Sequence, residues 1–472
     1  MAQPEFCLGP RAVPRWRERL LSMGLLSLLV FALWRPALEA ERVSDDFRLV
    51  GRIGFPDALR YFRQSFGFGR NEYRPLTAAS FALDRWFWGE GAAGYHFTNL
   101  ALHWTVSVLL FGLVRRLLQD APLALLASAL FAVHPITHER VVWIAARDGL
   151  VSGVFLMAAL RLYAAFRRSQ RPSLLFLALG AQTAALLSYE GAVALPLLVL
   201  AAEACFFSGG RRLHDTLRFT WPFAAVTGAY VALWWLMFRG SVGAYAFAGG
   251  VGEVVENYGR LMHSLFFGHR RLLLAAAYAV IGLSALARLR SWRPAAAFGC
   301  AFLAIAYLPF AALDGFAHRF GYTSAAGFAT LLAGAILCTI RLGRPAARTA
   351  VVVAAVLLSG YYLVEVRRIV AEWIGAGTIA AQLPGALRDL QPHLPEGAVV
   401  MIRGVPAMHG RAMVFPTGLE VAIEQRYGKR LNVRNVAVFD HEAIRAFREA
   451  GSPVYCFEWT PPGRLQPVTL PP

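Results

Sequence analysis

Charge is scarce in this chain. Only 16% of its 472 residues are Asp, Glu, Lys or Arg, while 57% are hydrophobic; a soluble domain carries about a quarter charged residues. An ordinary soluble enzyme is thereby excluded. Lysine is nearly missing: Lys429 is the only one, and arginine supplies the rest of the 47 basic residues. Cysteine is sparse as well. Cys7, Cys205, Cys300, Cys338 and Cys456 form no CxxC pair and no metal-ligand spacing, which removes a disulfide framework and a thiolate metal site. The net charge of +18 has no basic domain to carry it onto nucleic acid.

What is present in quantity is apolar sequence, with a mean hydropathy of +0.48. It is gathered into eleven runs: Leu20–Leu38, Tyr95–Val114, Leu123–Val133, Val141–Phe166, Leu174–Leu187, Ala192–Phe207, Phe219–Phe238, Leu272–Leu289, Ala295–Leu313, Tyr322–Ile340 and Thr349–Val364. Crossing a hydrocarbon core takes roughly 20 such residues, so an α-helical polytopic membrane protein of about eleven spans is expected. Arg11, Arg15, Arg17 and Arg19 before the first run place the N-terminus in the cytoplasm. Ala37–Ala40 offers a weak cleavage site, but a retained anchor is favoured. The connections Arg115–Ala121, Arg167–Pro172, Ser208–Arg218, Arg288–Pro294 and Arg341–Arg348 then fall inside, each with at least two arginines, as the positive-inside rule requires. The exterior receives Glu39–Gly94, the HPITHER segment, Ser188–Gly191, Arg239–Arg271, Asp314–Gly321 and the tail after Glu365. Most of the charge thus encodes orientation.

Two domains are expected, 1–365 in the membrane, with a first exterior loop at about 39–94, and 366–472 outside it. In the tail, short apolar blocks at Ala398–Ile402, Val433–Phe439 and Val454–Phe457 alternate with helical patterns at Gly418–Tyr427 and His441–Ala450. This predicts a small α/β domain with a partly parallel sheet, without a glycine-rich phosphate loop.

The polar residues that break the apolar pattern collect at exterior ends. Asp45 and Asp46 are adjacent carboxylates beside the bilayer, suited to a general base, to divalent-metal binding, or simply to capping a helix. His134, His138 and Glu139 lie in the HPITHER segment, followed by Arg147 and Asp148. His138-Glu139 begins an HExxH pattern, but position 142 is Val142, so the zinc-protease reading fails. Glu190 sits between two spans and Glu203 inside the next, each suited to pairing with an arginine. Asp314, His318, Arg319 and Tyr322 stand at a span entrance, where arginine serves either to clamp a phosphate or to anchor at the headgroups. Arg74 and Arg147 invite the same two readings.

Taken in order, Tyr73-Arg74-Pro75-Leu76, Tyr95-His96-Phe97-Thr98-Asn99-Leu100-Ala101-Leu102-His103, the HPITHER segment, Leu187-Ser188-Tyr189-Glu190 and Arg319-Phe320-Gly321-Tyr322 resemble the membrane core of the transmembrane-and-tetratricopeptide O-mannosyltransferases and their bacterial relatives. These belong to the C-type glycosyltransferase superfamily. The resemblance covers roughly residues 40–330. It departs where the family has Lys-Glu and this chain Tyr189-Glu190, where the family has Arg-x-Asp and this chain Arg147-Asp148, and in lacking the tetratricopeptide array.

The resemblance implies a membrane glycosyltransferase that takes a sugar from a polyprenyl-phosphate donor to an acceptor hydroxyl on the exterior face. Asp45 or Asp46 would be the base. Arg319, with Arg147, Arg74 and Tyr322, would bind the donor phosphate, and His134, His138, Glu139, Glu190 and His103 would position substrate. No cofactor is obligatory; a divalent cation such as Mg²⁺ or Mn²⁺, held by Asp45 and Asp46, is the option for a pyrophosphate donor. The expected location is a bacterial inner membrane with the tail in the periplasm, and the expected partners are the lipid-linked donor, membrane lipid and a glycan, lipid or protein acceptor. The competing readings are a glycan ligase or polymerase using a polyprenyl-pyrophosphate donor, and a non-catalytic transporter or scaffold for lipid carriers.

Overall fold

A computed structural model describes residues 15–66, 72–207, 213–238, 250–268, 270–460 and 463–469. Arg11, Asn71 and the stretch 239–249 lie outside them. Each of the eleven apolar runs coincides with a helix, and the chain is an integral membrane protein. Seven of the described helices are long and apolar enough to cross a membrane, or eight if the bent pair Ala121–Ala132 and Pro135–Val142 counts as one span. The expected eleven is reduced for a geometric reason. At about 1.5 Å per residue, the 15-residue helices Pro172–Leu186 and Leu272–Leu286 reach only about 22 Å against a core of about 30 Å. The helix Leu195–Phe206 is shorter still. The bend of 53° comes at His134-Pro135, where the proline ring and its missing N–H end the preceding helix.

Basic residues close the helices Ala92–Leu118 and Asp148–Ser169, whose C-caps Gln119 and Gln170 take left-handed backbone. Arginine there complements the negative end of the helix dipole and also ties the bundle together. Arg115 Nε donates to Glu18 at 2.6 Å, and Arg341 pairs with Asp120. Glu203, the acid inside an apolar run, is 1% exposed. It accepts from Nε and Nη2 of Arg167, both at 2.7 Å, and from the Tyr163 hydroxyl at 2.6 Å. Tyr163 and Arg167 lie on the helix Asp148–Ser169 and Glu203 on Leu195–Phe206, so the three tie those two helices together. Removing one member leaves the other charge buried, so Glu203→Ala is expected to destabilise the fold by about 3–5 kcal/mol, measurable by denaturation in detergent; a change below about 1 kcal/mol would contradict that role.

Between the first two long helices the chain forms three short ones, Asp46–Leu49, Phe55–Arg60 and Pro75–Trp88. The last exposes Trp86, Phe87 and Trp88, an aromatic edge suited to the headgroup level.

The helix Pro345–Leu390 runs for 46 residues, straight through residue 365, where the composition changes. Gly377 on it touches the first loop: a Cβ there would come within 2.7 Å of the Glu41 nitrogen. The α/β region follows, with strands β1 (Val399–Arg403), β2 (Met408–His409), β3 (Ala412–Met413), β4 (Asn432–Val436), β5 (Val454–Thr460) and β6 (Arg464–Pro467). The sheet order is β4-β1-β5-β6. β1 is parallel to β4 and β5, and β6 is antiparallel to β5. Alternation along β1 decides what each face meets: Val400 and Ile402 join the core shared with the bundle, while Val399 and Met401 pack with Ile444 of the helix His441–Glu449.

Candidate active site

The first loop, the HPITHER segment, the turn before Glu190 and the entrance at Arg319 converge on one network of charges. Pro75 starts a helix, leaving Arg74 at its N-cap. From there the Arg74 guanidinium reaches Glu72 at 3.3 Å, Asp148 at 2.8 Å and Glu190 at 2.8 Å, and lies 4.8 Å over the Tyr189 ring. Asp148 also pairs with Arg140, whose Nε donates to the Arg319 carbonyl at 3.1 Å. Arg319 completes the chain, its backbone and side-chain nitrogens each 3.1 Å from Glu139 Oε2. Three arginines and four carboxylates thus form one largely buried network, with Arg140 and Arg319 linked through the Arg319 backbone carbonyl and Glu190, 31% exposed, at its outer side. Arg319 stands at the edge, 20% exposed against 7% for Arg74 and 2% for Arg140.

Asp46 is fully buried, and both its oxygens accept backbone N–H groups: Val43 at 3.1 Å and Ala145 at 2.8 Å. Burial pushes its carboxyl up to about 8, against the opposing pull of those two amides and of Arg147. In the unfolded chain the group ionises near pH 4, so between these values the folded state holds the extra proton. Its contribution to stability is therefore greatest in acid and is lost as pH rises towards 8. The unfolding midpoint should fall from pH 5 to pH 8.5 more steeply in the wild type than in Asp46→Asn; parallel curves would exclude the buried proton. Asp45, half-buried, is oriented differently: the Thr417 hydroxyl donates to its Oδ1 at 2.9 Å, and Arg48 stands 3.7 Å from the same oxygen.

The turn Trp143–Arg147 joins these two assemblies. Ala145 holds Asp46, while the Trp143 ring lies 5.4 Å under the Arg319 guanidinium.

Other residues singled out in the sequence lie elsewhere. Arg147 is fully buried and engaged by Asp84 at 2.6 Å, Asn99 at 2.7 Å and the Tyr95 carbonyl at 2.8 Å. Tyr322 faces inward, its hydroxyl 2.9 Å from His103 Nδ1, while His103 Nε2 meets the Ala132 carbonyl. His134 bonds the Leu265 carbonyl and accepts the Ile136 N–H, fixing the bend.

Among the described residues, the histidines and acids close enough to hold a cation are His138, Glu139 and His318, with ligand atoms within 4.8 Å; Asp45 and Asp46 do not enter this group. In the structure these atoms are engaged in hydrogen bonds. Trp373 Nε1–H donates to His138 Nδ1 at 3.0 Å, so in the neutral ring Nε2 carries the proton and gives it to His318 Nδ1 at 3.0 Å. Glu139 Oε2 is taken by Arg319. Of these residues, the sequence marks Asp148 and His318 only as neighbours of candidate site residues, with no role of their own, and it gives no signal for Arg140 beyond its place in the HPITHER segment and none for Trp373.

A fold of this kind defines a class. The chain has the fold of the C-type membrane glycosyltransferases: it superposes on ArnT from Cupriavidus metallidurans bound to undecaprenyl phosphate with a TM-score of 0.50, 11% identity and coverage of 95% of this chain and 94% of that one. It superposes on the Archaeoglobus fulgidus oligosaccharyltransferase in complex with Zn and sulfate with a TM-score of 0.54, 13% identity and coverage of 95% and 73%. In sequence it is similar to Protein O-mannosyl-transferase Tmtc1 of Drosophila melanogaster, 32% identical over 183 residues, or 36% of this chain and 21% of that protein. It is also similar to human Protein O-mannosyl-transferase TMTC3, 38% identical over 100 residues, or 21% of this chain and 10% of that protein. The matches thus span about a fifth or less of these relatives' own lengths. No protein-family profile matches the chain.

Proposed function

We propose that the chain is a glycosyltransferase that moves a sugar from a polyprenyl-phosphate carrier to an acceptor hydroxyl at the exterior face of a bacterial inner membrane. The observation that supports this reading is the Trp143–Arg147 turn, which touches both assemblies: the Ala145 N–H donates to Asp46, next to Asp45, and the Trp143 ring lies under the Arg319 guanidinium. A transfer of this type needs a base and a cation at opposite ends of one displacement. The acceptor oxygen attacks the anomeric carbon and its proton passes to a carboxylate. The bond from that carbon to the phosphate oxygen breaks, and the phosphate leaves with the electron pair, so the anomeric centre inverts.

Asp45 is the base. Asp46, with both oxygens held by amides, braces the loop. Arg319 meets the charge growing on the leaving phosphate, while Arg74, Arg140, Asp148 and Glu190 fix the frame around it. Arg147 and Tyr322 act as internal struts. His138 and Glu139 orient the Arg319 segment through hydrogen bonds.

Purified protein in liposomes, given a polyprenyl-phosphate sugar labelled in the sugar, should release or transfer the label; no turnover with any such donor would overturn the reading. Because His138 and Glu139 are occupied by Trp373 and Arg319, chelation with EDTA should leave turnover within about twofold. A loss restored by added Mn²⁺ or Zn²⁺ would assign the His138, Glu139 and His318 group to a metal instead.

A further inference from the structure

The turn that carries Asp45 is held by the α/β region. Ser44 has a φ of 49°, the left-handed conformation that a residue with a side chain avoids; such strain persists only where the surroundings impose it. The surroundings here are the segment Val414–Gly418. The Ser44 N–H donates to the Val414 carbonyl at 2.9 Å, and the Ser44 and Thr417 hydroxyls are 2.9 Å apart. Gly418, at a φ of 83°, presses so closely on the Ser44 carbonyl that no Cβ would fit. Farther along, the Gln425 side-chain amide donates to the Phe47 carbonyl.

A hydroxyl has one proton to give. Thr417 gives its own to Asp45 Oδ1, so the bond between the two hydroxyls runs from Ser44 to Thr417. The order is fixed: Ser44 to Thr417 to Asp45. Thr417 and Arg48 both contact Oδ1 of this carboxylate. The same two parts of the chain also wall a cleft of about 860 Å³, lined by Glu41, Arg42 and Phe47 on one part and Gln425, Arg426 and Lys429 on the other.

We infer that Thr417 is a positioning residue for Asp45, so that the C-terminal α/β region completes the active site instead of decorating it. The inference rests on the reading of Asp45 as the base. In the full-length protein, Thr417→Val keeps the shape and removes the donor. Turnover of a polyprenyl-phosphate sugar should fall by about tenfold to a hundredfold with donor KM unchanged, and Thr417→Ser should restore it to within about threefold. Amide hydrogen exchange over residues 43–50 should quicken in Thr417→Val and return towards wild type in Thr417→Ser. Unchanged kcat and exchange in Thr417→Val would overturn the inference, as would a serine variant as slow as the valine one. If the wild type transfers no sugar, the functional reading fails, while the exchange measurement still decides whether Thr417 holds the turn.

Discussion

In reconstituted membranes, Asp45→Asn should lower sugar transfer by about a hundredfold to ten thousandfold, the range that a positioned general base supplies, while expression and thermal stability stay close to wild type. The asparagine keeps the size of the side chain and can still accept from Thr417, so the loss would be of proton acceptance alone. Asp46→Asn should behave differently. Its two oxygens accept N–H groups, and an amide can satisfy only one, because its NH₂ would confront the other donor. That variant should lose stability together with turnover. An Asp45→Asn enzyme with normal turnover, beside a stable but inactive Asp46→Asn, would exchange the two roles; normal turnover in the double variant would remove the base altogether.

Arg319→Ala is expected to cost about a hundredfold to a thousandfold in turnover, with donor use affected far more than acceptor use. Arg319 stands on the Trp143 ring with Glu139 on one side, so its guanidinium is already oriented when a phosphate arrives. Arg319→Lys should recover only part of the loss, since an ammonium keeps the charge without the planar fork. Equal losses towards donor and acceptor would show that the substitution collapses the network with Arg140 instead of withdrawing a phosphate ligand.

Much of this was legible in the residues. The apolar runs located every long helix, because hydrocarbon thickness imposes a length that composition reveals. The short apolar block at Ala398–Ile402 and the helical pattern over Gly418–Tyr427 announced the α/β region, apart from the β2–β3 hairpin and β6, whose short strands carry almost no periodicity. Span number was less legible, since a run of 15 apolar residues looks alike whether it crosses or stops halfway. Within the candidate site, the sequence named segments that the fold brings together, but not the pairings between them. Arg74, Arg147 and Arg319 are equivalent in one dimension; only the fold encloses the first with Glu72, Asp148 and Glu190 and the second with Asp84. The contact of Thr417 with Asp45 joins positions 372 residues apart, a separation across which no local pattern carries information.

The long helix Pro345–Leu390 acts as a lever. Its 46 residues make a rod of about 69 Å at 1.5 Å per residue, anchored in lipid at one end and leading into the sheet at the other. A change in tilt of about 5° moves Gly377, about 48 Å along the rod, by about 4 Å. Such a displacement would be felt where Gly377 bears on Glu41, four residues before Asp45. Lipid chain length should therefore tune turnover even when donor and acceptor are held constant.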